Sequence, residues 1–152
     1  MCQDREQVPN DRVVLRLSAP RDADAFHSSK ELTPLPGDFR LTDRECREAE
    51  DNGGIGGLSV WDSLRTTPDQ ARRFLPSQRR RIVFQLSVGA LSKIPDHNLH
   101  VCRDPLSEDK AGADGHCLIA NAYSSDQIVL RSIRASIVRV ARYFPEDEQR
   151  EG

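Results

Sequence analysis

The sequence has no long apolar stretch, few aromatic residues and little lysine. No run of 18 apolar residues occurs, so we expect no membrane-spanning helix and no membrane partner. Residues 1–11 are polar and lack the basic start and apolar stretch of a secretory signal, which favours a cytoplasmic location. Only 3 of the 22 basic residues are lysine, and with 5% aromatic residues, none among the arginines, base stacking on nucleic acid is unsupported.

The cysteines do not form a C-x-x-C pair. There are four, at positions 2, 46, 102 and 117, with no spacing typical of a redox motif or a zinc finger. Because the chain lacks an export signal, we predict that all four are reduced thiols in a reducing compartment.

The length and the apolar pattern indicate one domain of moderate size. The chain has 152 residues, enough to bury a core without staples. We predict a disordered lead over 1–11, a single α+β domain over 12–145 and an acidic tail over 146–152. In that domain about five mostly antiparallel strands are covered by two or three helices, the last of them a long amphipathic C-terminal helix.

Alternation and capping residues give the order of the elements. Alternating apolar residues predict strands over 13–18, 58–61, 82–88, 99–103 and 116–122. Thr42 with Glu45, and Thr67 with Gln70, form two capping boxes at helix starts. The last helix is predicted to begin after Ser124 or Ser125 and to run to about Phe144. Its apolar stripe is predicted to consist of Leu130, Ile133, Ile137, Val140, Ala141 and Phe144.

The glycine run over 53–57 is predicted to be a connector. A phosphate-binding loop needs a lysine after the glycines, and none follows here. A dinucleotide fingerprint needs a strand before and a helix after, whereas this run has the reverse order.

Histidine and cysteine cluster between residues 97 and 117. His100 and Cys102 share one face of a predicted strand, and His116 begins the next strand, where antiparallel pairing would bring it opposite Arg103 or Cys102. Such a set would suit a thiol- or metal-dependent hydrolase. A zinc site needs three or four ligands that converge, and this set offers only three candidates, so we expect no tightly bound zinc and no cofactor.

A second enzyme hypothesis rests on Arg16, His27 and Ser59. Their layout resembles that of small transferases of the ADP-ribosyltransferase kind, which act on nicotinamide dinucleotides. Those enzymes place an arginine or histidine on an early strand, a serine or tyrosine on a middle strand and an acid on a later one. The resemblance implies that Arg16 or His27 fills the first of these places and Ser59 the second, although Gln85 stands where the acid would be expected.

The arginines supply the remaining candidates. Residues 64–94 carry seven basic residues and one acid, and the last helix adds four arginines on the half opposite its apolar stripe, Arg131, Arg134, Arg139 and Arg142. These could bind an anionic partner or nucleic acid. Because no set of acid, base and nucleophile is complete, we predict a non-enzymatic accessory or protein-interaction domain of bacterial type, with another protein as its partner.

Overall fold

The computed structural model describes residues 2, 5–18, 33–51, 57–75 and 81–145. Within these residues six strands form one antiparallel sheet and four α-helices pack on it, which confirms the α+β class. The strands are β1 (Val13–Ser18), β2 (Gly57–Asp62), β3 (Ile82–Ser87), β4 (His100–Arg103), β5 (His116–Ala120) and β6 (Ala141–Tyr143). The helices are α1 (Asp43–Asp51), α2 (Pro68–Arg72), α3 (Val88–Ser92) and α4 (Gln127–Val140). The strand order in the sheet is β4-β5-β2-β1-β3-β6.

The alternation of each strand gives the sheet two different faces. On the face that we call the core face, apolar residues of all six strands form one cluster with Ile133 and Ile137 of α4, which are 2% and 1% exposed. The opposite face, which we call the cleft face, carries a smaller cluster of Leu15, Leu17, Trp61, Ala71 and Val83. The core face therefore supplies most of the apolar burial that stabilises the fold.

Both capping boxes are confirmed at the starts of α1 and α2. At α1 the Glu45 amide donates to Thr42 Oγ1 over 3.1 Å, and the Thr42 amide donates to Glu45 Oε1 over 2.7 Å. Thr67 and Gln70 make the same reciprocal pair at α2. Each cap satisfies amides that have no partner inside the helix.

The long C-terminal helix is confirmed, but its bounds differ from the prediction. Asp126, rather than Ser124 or Ser125, is the N-cap: its Oδ1 accepts from the amides of Ile128 and Val129. The helix ends at Val140, and the chain continues directly as β6, which pairs with β3. The reason is tertiary: Tyr143 in an extended chain packs edge-on against Phe84 of β3, a contact that helical periodicity does not contain.

The described part of the predicted disordered lead lies along β4. The amide of Val8 donates to the carbonyl of Val101 over 2.8 Å, and the amide of Arg103 donates to the carbonyl of Glu6 over 2.8 Å. Val8 itself is fully buried. These bonds and the apolar contact order 5–8 against the sheet edge, contrary to the expectation from their polar composition.

None of the helices in the described part of the chain has the length and apolar character that crossing a bilayer requires.

Candidate functional site

The sheet opens between β1 and β2. These two strands pair only at Val14 with Asp62 and at Leu15 with Trp61. Beyond that point the backbone of Ser59 forms hydrogen bonds with side chains instead of with β1. Its amide donates to Glu45 Oε2 over 2.7 Å, and its carbonyl accepts from Arg16 Nη1 over 3.0 Å.

The side chains of Arg16 and Glu45 both bind the backbone at this opening. The Arg16 guanidinium also donates to the carbonyls of Asp38, over 3.1 Å, and Arg40, over 3.0 Å. Burial lowers the pKa of Arg16, the negative charge of Glu45 opposes this effect, and the positive charge of Arg81 adds to it. Both residues thus replace ladder hydrogen bonds that the separated strands cannot make.

A cavity of about 510 Å³ lies at this opening on the cleft face. That volume is in the range of small-molecule sites, about 300–1,000 Å³. Its apolar lining is Leu17, Trp61, Phe74, Leu75, Leu106 and Leu118. Trp61 is held rigidly in that wall, because its ring stacks on Phe74 with centroids 5.2 Å apart and meets the His116 ring edge-on at 4.8 Å.

The carboxylates that line the cavity already have partners. Glu48 pairs with Arg44 over 3.1 Å, and Glu108 pairs with Lys110 over 3.3 Å. Glu45 accepts two backbone amides, as described above, and Asp104 pairs with His116. Each of these carboxylates therefore has a hydrogen-bond or ion-pair partner within the protein.

Arg81, by contrast, lines the cavity without a partner. Its Nε is buried with no hydrogen-bond partner, and no described residue forms an ion pair with its guanidinium. Burial lowers its pKa. An arginine remains cationic in proteins, so the cavity holds an uncompensated positive charge.

Asp104 orients His116 at the rim of the cavity. His116 Nδ1 lies 2.9 Å from the Asp104 carbonyl oxygen and 3.2 Å from Asp104 Oδ2. The hydrogen bond from His116 lowers the pKa of Asp104 against the effect of burial, and the charge of Arg5 contributes to the lowering. The pair fixes the ring orientation, as second partners of functional histidines do.

Of the residues in the transferase hypothesis, Arg16 and Ser59 meet at the opening, and both line the cavity. His27 lies outside the described residues. A carboxylate does lie next to Ser59, that of Glu45, but α1 precedes β2 in the chain, so Glu45 is not the acid that the layout places on a later strand.

The cysteine prediction is wrong for two of the four residues. Cys2 and Cys102 form a disulfide across a sequence separation of 100 residues. The physical reason is that the lead lies along β4 and brings Cys2 onto Cys102. Cys46 and Cys117 are free, as predicted. Cys117 faces the core, and burial raises its pKa to about 11, which argues against a nucleophilic thiol.

The expected grouping of His100, Cys102 and His116 is only partly present. β4 and β5 pair antiparallel as predicted, but Cys117, not His116, stands opposite Arg103. Donor atoms of Cys2, His100 and Cys102 lie within 4.8 Å of one another, and His116 is not among them. His116 lines the cavity of the cleft face, whereas His100 lies beside the disulfide.

The four arginines of the last helix do not form one surface. Arg142 lies on β6, since α4 ends before it, and Arg131 is fully exposed. Arg134 is half-buried, and burial together with the charge of Arg40 lowers its pKa. Arg139 and Arg142 share a hollow beside β3, lined also by Gln85, away from Arg131 and Arg134. The predicted continuous basic face is thus divided.

Sequence reasoning missed three residues of these sites. Glu45 was assigned only to a helix cap, Arg81 only to a basic run, and Cys2 to a disordered lead. The capping box did locate Glu45, but its second bond, to Ser59 of β2, depends on how α1 packs.

Comparisons with protein-family models, curated proteins and solved structures found no match for this chain.

Proposed function

We propose that the cleft binds a small anionic molecule with an apolar, ring-containing body, for which a mononucleotide is the representative ligand. The observation that carries this proposal is Arg81, a half-buried residue that lines a cavity of about 510 Å³, has a buried Nε without a hydrogen-bond partner and forms no ion pair with a described residue. A cation that is partly removed from water and has no partner is unfavourable, so its presence in a cavity favours an anionic ligand as the partner.

The wall of the cavity fits the rest of such a molecule. Leu17, Leu75 and Leu118 offer apolar surface, and Phe74 is only half-buried. The fixed position of Trp61 between Phe74 and His116 means that little conformational entropy is lost when a ligand packs there. A ligand whose charged end binds Arg81 and whose ring packs against this wall would bind in a single orientation.

The accessory-protein hypothesis stays a prediction. The surfaces on which it rested are less suitable than expected, because the arginines of α4 and β6 are divided and residues 5–8 cover the β4 edge of the sheet. A cytoplasmic location also stays a prediction. Nucleotides are abundant there, whereas a disulfide is more typical of oxidising compartments.

Isothermal titration of the protein with AMP and with inorganic phosphate tests the proposal. We expect AMP to bind, and Arg81→Met to weaken binding by about tenfold to a hundredfold, the loss of one charge-assisted contact. Arg131→Met is the matched control, because Arg131 is exposed on α4 and is not among the residues that line the cavity. Equal affinity of AMP for Arg81→Met and the wild type would contradict the proposal.

One observation favours a second function, ADP-ribosyl transfer from NAD⁺. Arg16, Glu45 and Ser59 converge at the opening of the sheet, and Ser59 lines the cavity. In this reaction the bond between nicotinamide and ribose breaks, nicotinamide leaves, and water or an acceptor group takes its place on the ribose.

Chromatographic detection of nicotinamide tests the second function. We expect the wild type to release nicotinamide from NAD⁺, and Ser59→Ala to release less while still binding NAD⁺. Arg16 and Glu45 are unsuitable for this test, because their side chains also hold the backbone together. If the wild type binds AMP but releases no nicotinamide, the cleft is a binding site without this activity.

A further inference from the structure

A second group of chemically active residues lies at the β4 edge, separate from the cleft. Cys2, His100 and Cys102 each offer one donor atom, and the three atoms lie within 4.8 Å of one another. All three residues are buried, with exposed fractions of 7%, 6% and 4%. Cys102 and His100 point to the same side of β4, and the lead brings Cys2 to them.

The His100 ring is oriented as a metal ligand would be. Its Nδ1 lies 3.0 Å from the carbonyl oxygen of Asn98, which can only accept, so Nδ1 carries the hydrogen. In the neutral ring the lone pair is then on Nε2. That atom is buried and has no hydrogen-bond partner in the described structure, so it is the ring nitrogen available to a metal ion.

The carbonyl that holds His100 is itself fixed. Asn98 has a left-handed backbone, with φ of 51°, and its carbonyl also accepts from Asn121 Nδ2 over 2.9 Å. A backbone carbonyl bound to the second nitrogen is the usual support of a metal-binding histidine. The support is present although a disulfide needs no imidazole beside it.

We propose that Cys2, Cys102 and His100 form a zinc site when the two cysteines are reduced, and that the disulfide is the oxidised form of the same site. Tetrahedral zinc with Zn–S near 2.3 Å and Zn–N near 2.1 Å places its ligand atoms about 3.5–3.8 Å apart. The three donor atoms are already within 4.8 Å, so only a small movement of the side chains is required.

Charge also favours zinc at this position. Two thiolates and a neutral imidazole balance the charge of Zn²⁺, so a neutral complex would be buried. Cysteine sulfur and histidine nitrogen are ligands typical of Zn²⁺, whereas Mg²⁺ and Ca²⁺ bind mainly oxygen ligands. This ligand set therefore favours zinc over those two cations. Three protein ligands leave the fourth position to water.

The two forms interconvert by ordinary thiol chemistry. A phosphine reductant takes up oxygen from water and gives two electrons to the disulfide, which takes up two protons and becomes two thiols. Zinc then displaces one proton from each thiol and accepts the lone pair of His100 Nε2. Binding therefore releases two protons for each zinc ion.

Cobalt(II) substitution tests the site without reference to any activity. After reduction with a phosphine and removal of the reductant, we expect Co²⁺ to give an intense sulfur-to-cobalt charge-transfer band in the near ultraviolet. Stoichiometric Zn²⁺ should abolish that band. The same protein with its disulfide intact should show no band, which is a control that requires no substitution.

Substitutions assign the ligands. Cys102→Ser should lose most of the charge-transfer intensity, and His100→Leu should weaken Zn²⁺ binding by at least about a hundredfold. The matched control is the double variant Cys46→Ser/Cys117→Ser, which removes the two free cysteines and should bind Co²⁺ like the wild type. The proposal is overturned if reduced wild-type protein gives no band. It is equally overturned if the band follows Cys46 and Cys117 instead.

Discussion

The two faces of the sheet are made from the same strands, yet they treat polar groups differently. On the core face, buried Asp62 receives hydrogen bonds from Arg103 and from the amide of Leu64. On the opposite face, Arg81 Nε beside the cavity and His100 Nε2 beside the two cysteines have no hydrogen-bond partner in the described part of the chain. Arg103 Nε on the core face also lacks one, but that guanidinium is already paired with Asp62. Satisfied buried groups are typical of structure, whereas unsatisfied ones that remain in a folded protein point to a ligand.

This difference predicts which substitutions destabilise the protein and which affect only binding. Substitutions on the core face should lower the free energy of unfolding strongly, whereas substitution of Arg81 should change it little. The following five predictions run from the largest expected effect to the smallest.

Asp62→Ala should give the largest loss of stability, about 3–5 kcal/mol, because it leaves the buried guanidinium of Arg103 without its carboxylate. Urea unfolding measures this change. Glu48→Ala is the control: Glu48 pairs with Arg44 at the surface, and its loss should cost about 0.5 kcal/mol or less. Equal losses in the two variants would mean that the Asp62 network is not the anchor of the core face.

The same carboxylate predicts the response to acid. Burial raises the pKa of Asp62, but the hydrogen bonds from Arg103 and Leu64 and the charges of Arg103 and Arg12 outweigh it, so the net pKa is below the ordinary value. Its contribution to stability is complete above the unfolded pKa of about 3.9 and is lost as the pH falls through the lower folded pKa. The unfolding free energy of Asp62→Asn should therefore fall less steeply in this range than that of the wild type.

Ile137→Ala should cost about 2–4 kcal/mol, because it leaves a cavity between α4 and the sheet where the side chain is 1% exposed. Arg131→Ala, on the exposed side of the same helix, should change the unfolding free energy by about 0.5 kcal/mol or less. Denaturant unfolding of both variants, with unchanged slope, checks the result. Similar losses from both would contradict the assignment of the core face.

Reduction of the Cys2–Cys102 disulfide should cost about 2–4 kcal/mol when metal is removed with a chelator, because the bond closes a loop of 100 residues in the unfolded chain. Thermal unfolding with and without a phosphine measures the effect. A Cys2→Ser/Cys102→Ser variant should not respond to the reductant. If the phosphine also lowers the stability of that variant, its effect on the wild type does not come from the disulfide.

Arg81→Met should change stability least, by about 0.5 kcal/mol or less in the absence of ligand, because methionine retains the apolar stem and removes an unpartnered charge. Urea unfolding of the ligand-free protein checks this. A loss above about 1 kcal/mol would show that Arg81 holds the fold, and the comparison between the faces would lose its clearest case.

The sequence could predict what local rules determine. Thr42 and Glu45 lie three residues apart, so their capping box is visible in the sequence, and the alternation of Val13, Leu15 and Leu17 identifies β1. In the same way, the spacing of Leu130, Ile133 and Ile137 identifies the buried stripe of α4. Each of these signals depends on residues within a few positions of one another.

Contacts between distant residues could not be predicted in this way. The end of α4 depends on Tyr143 meeting Phe84, and the disulfide depends on Cys2 meeting Cys102. The cavity depends on the separation of β1 from β2 beyond Leu15. Periodicity carries no information about these encounters, so the candidate residues were named only in part.

The position of residues 5–8 along β4 also has a consequence for the behaviour of this protein in concentrated solution. An exposed strand edge is a template on which a second copy of a chain can add a strand, which begins aggregation. Here the amide of Val8 and the carbonyl of Glu6 occupy the bonding positions of Val101 and Arg103. Removing the first eight residues would uncover them, and the shortened chain should self-associate as its concentration rises. Residues 5–8 therefore cover an edge that could otherwise add a strand from a second copy, and we expect a deletion of these residues to raise the tendency to aggregate.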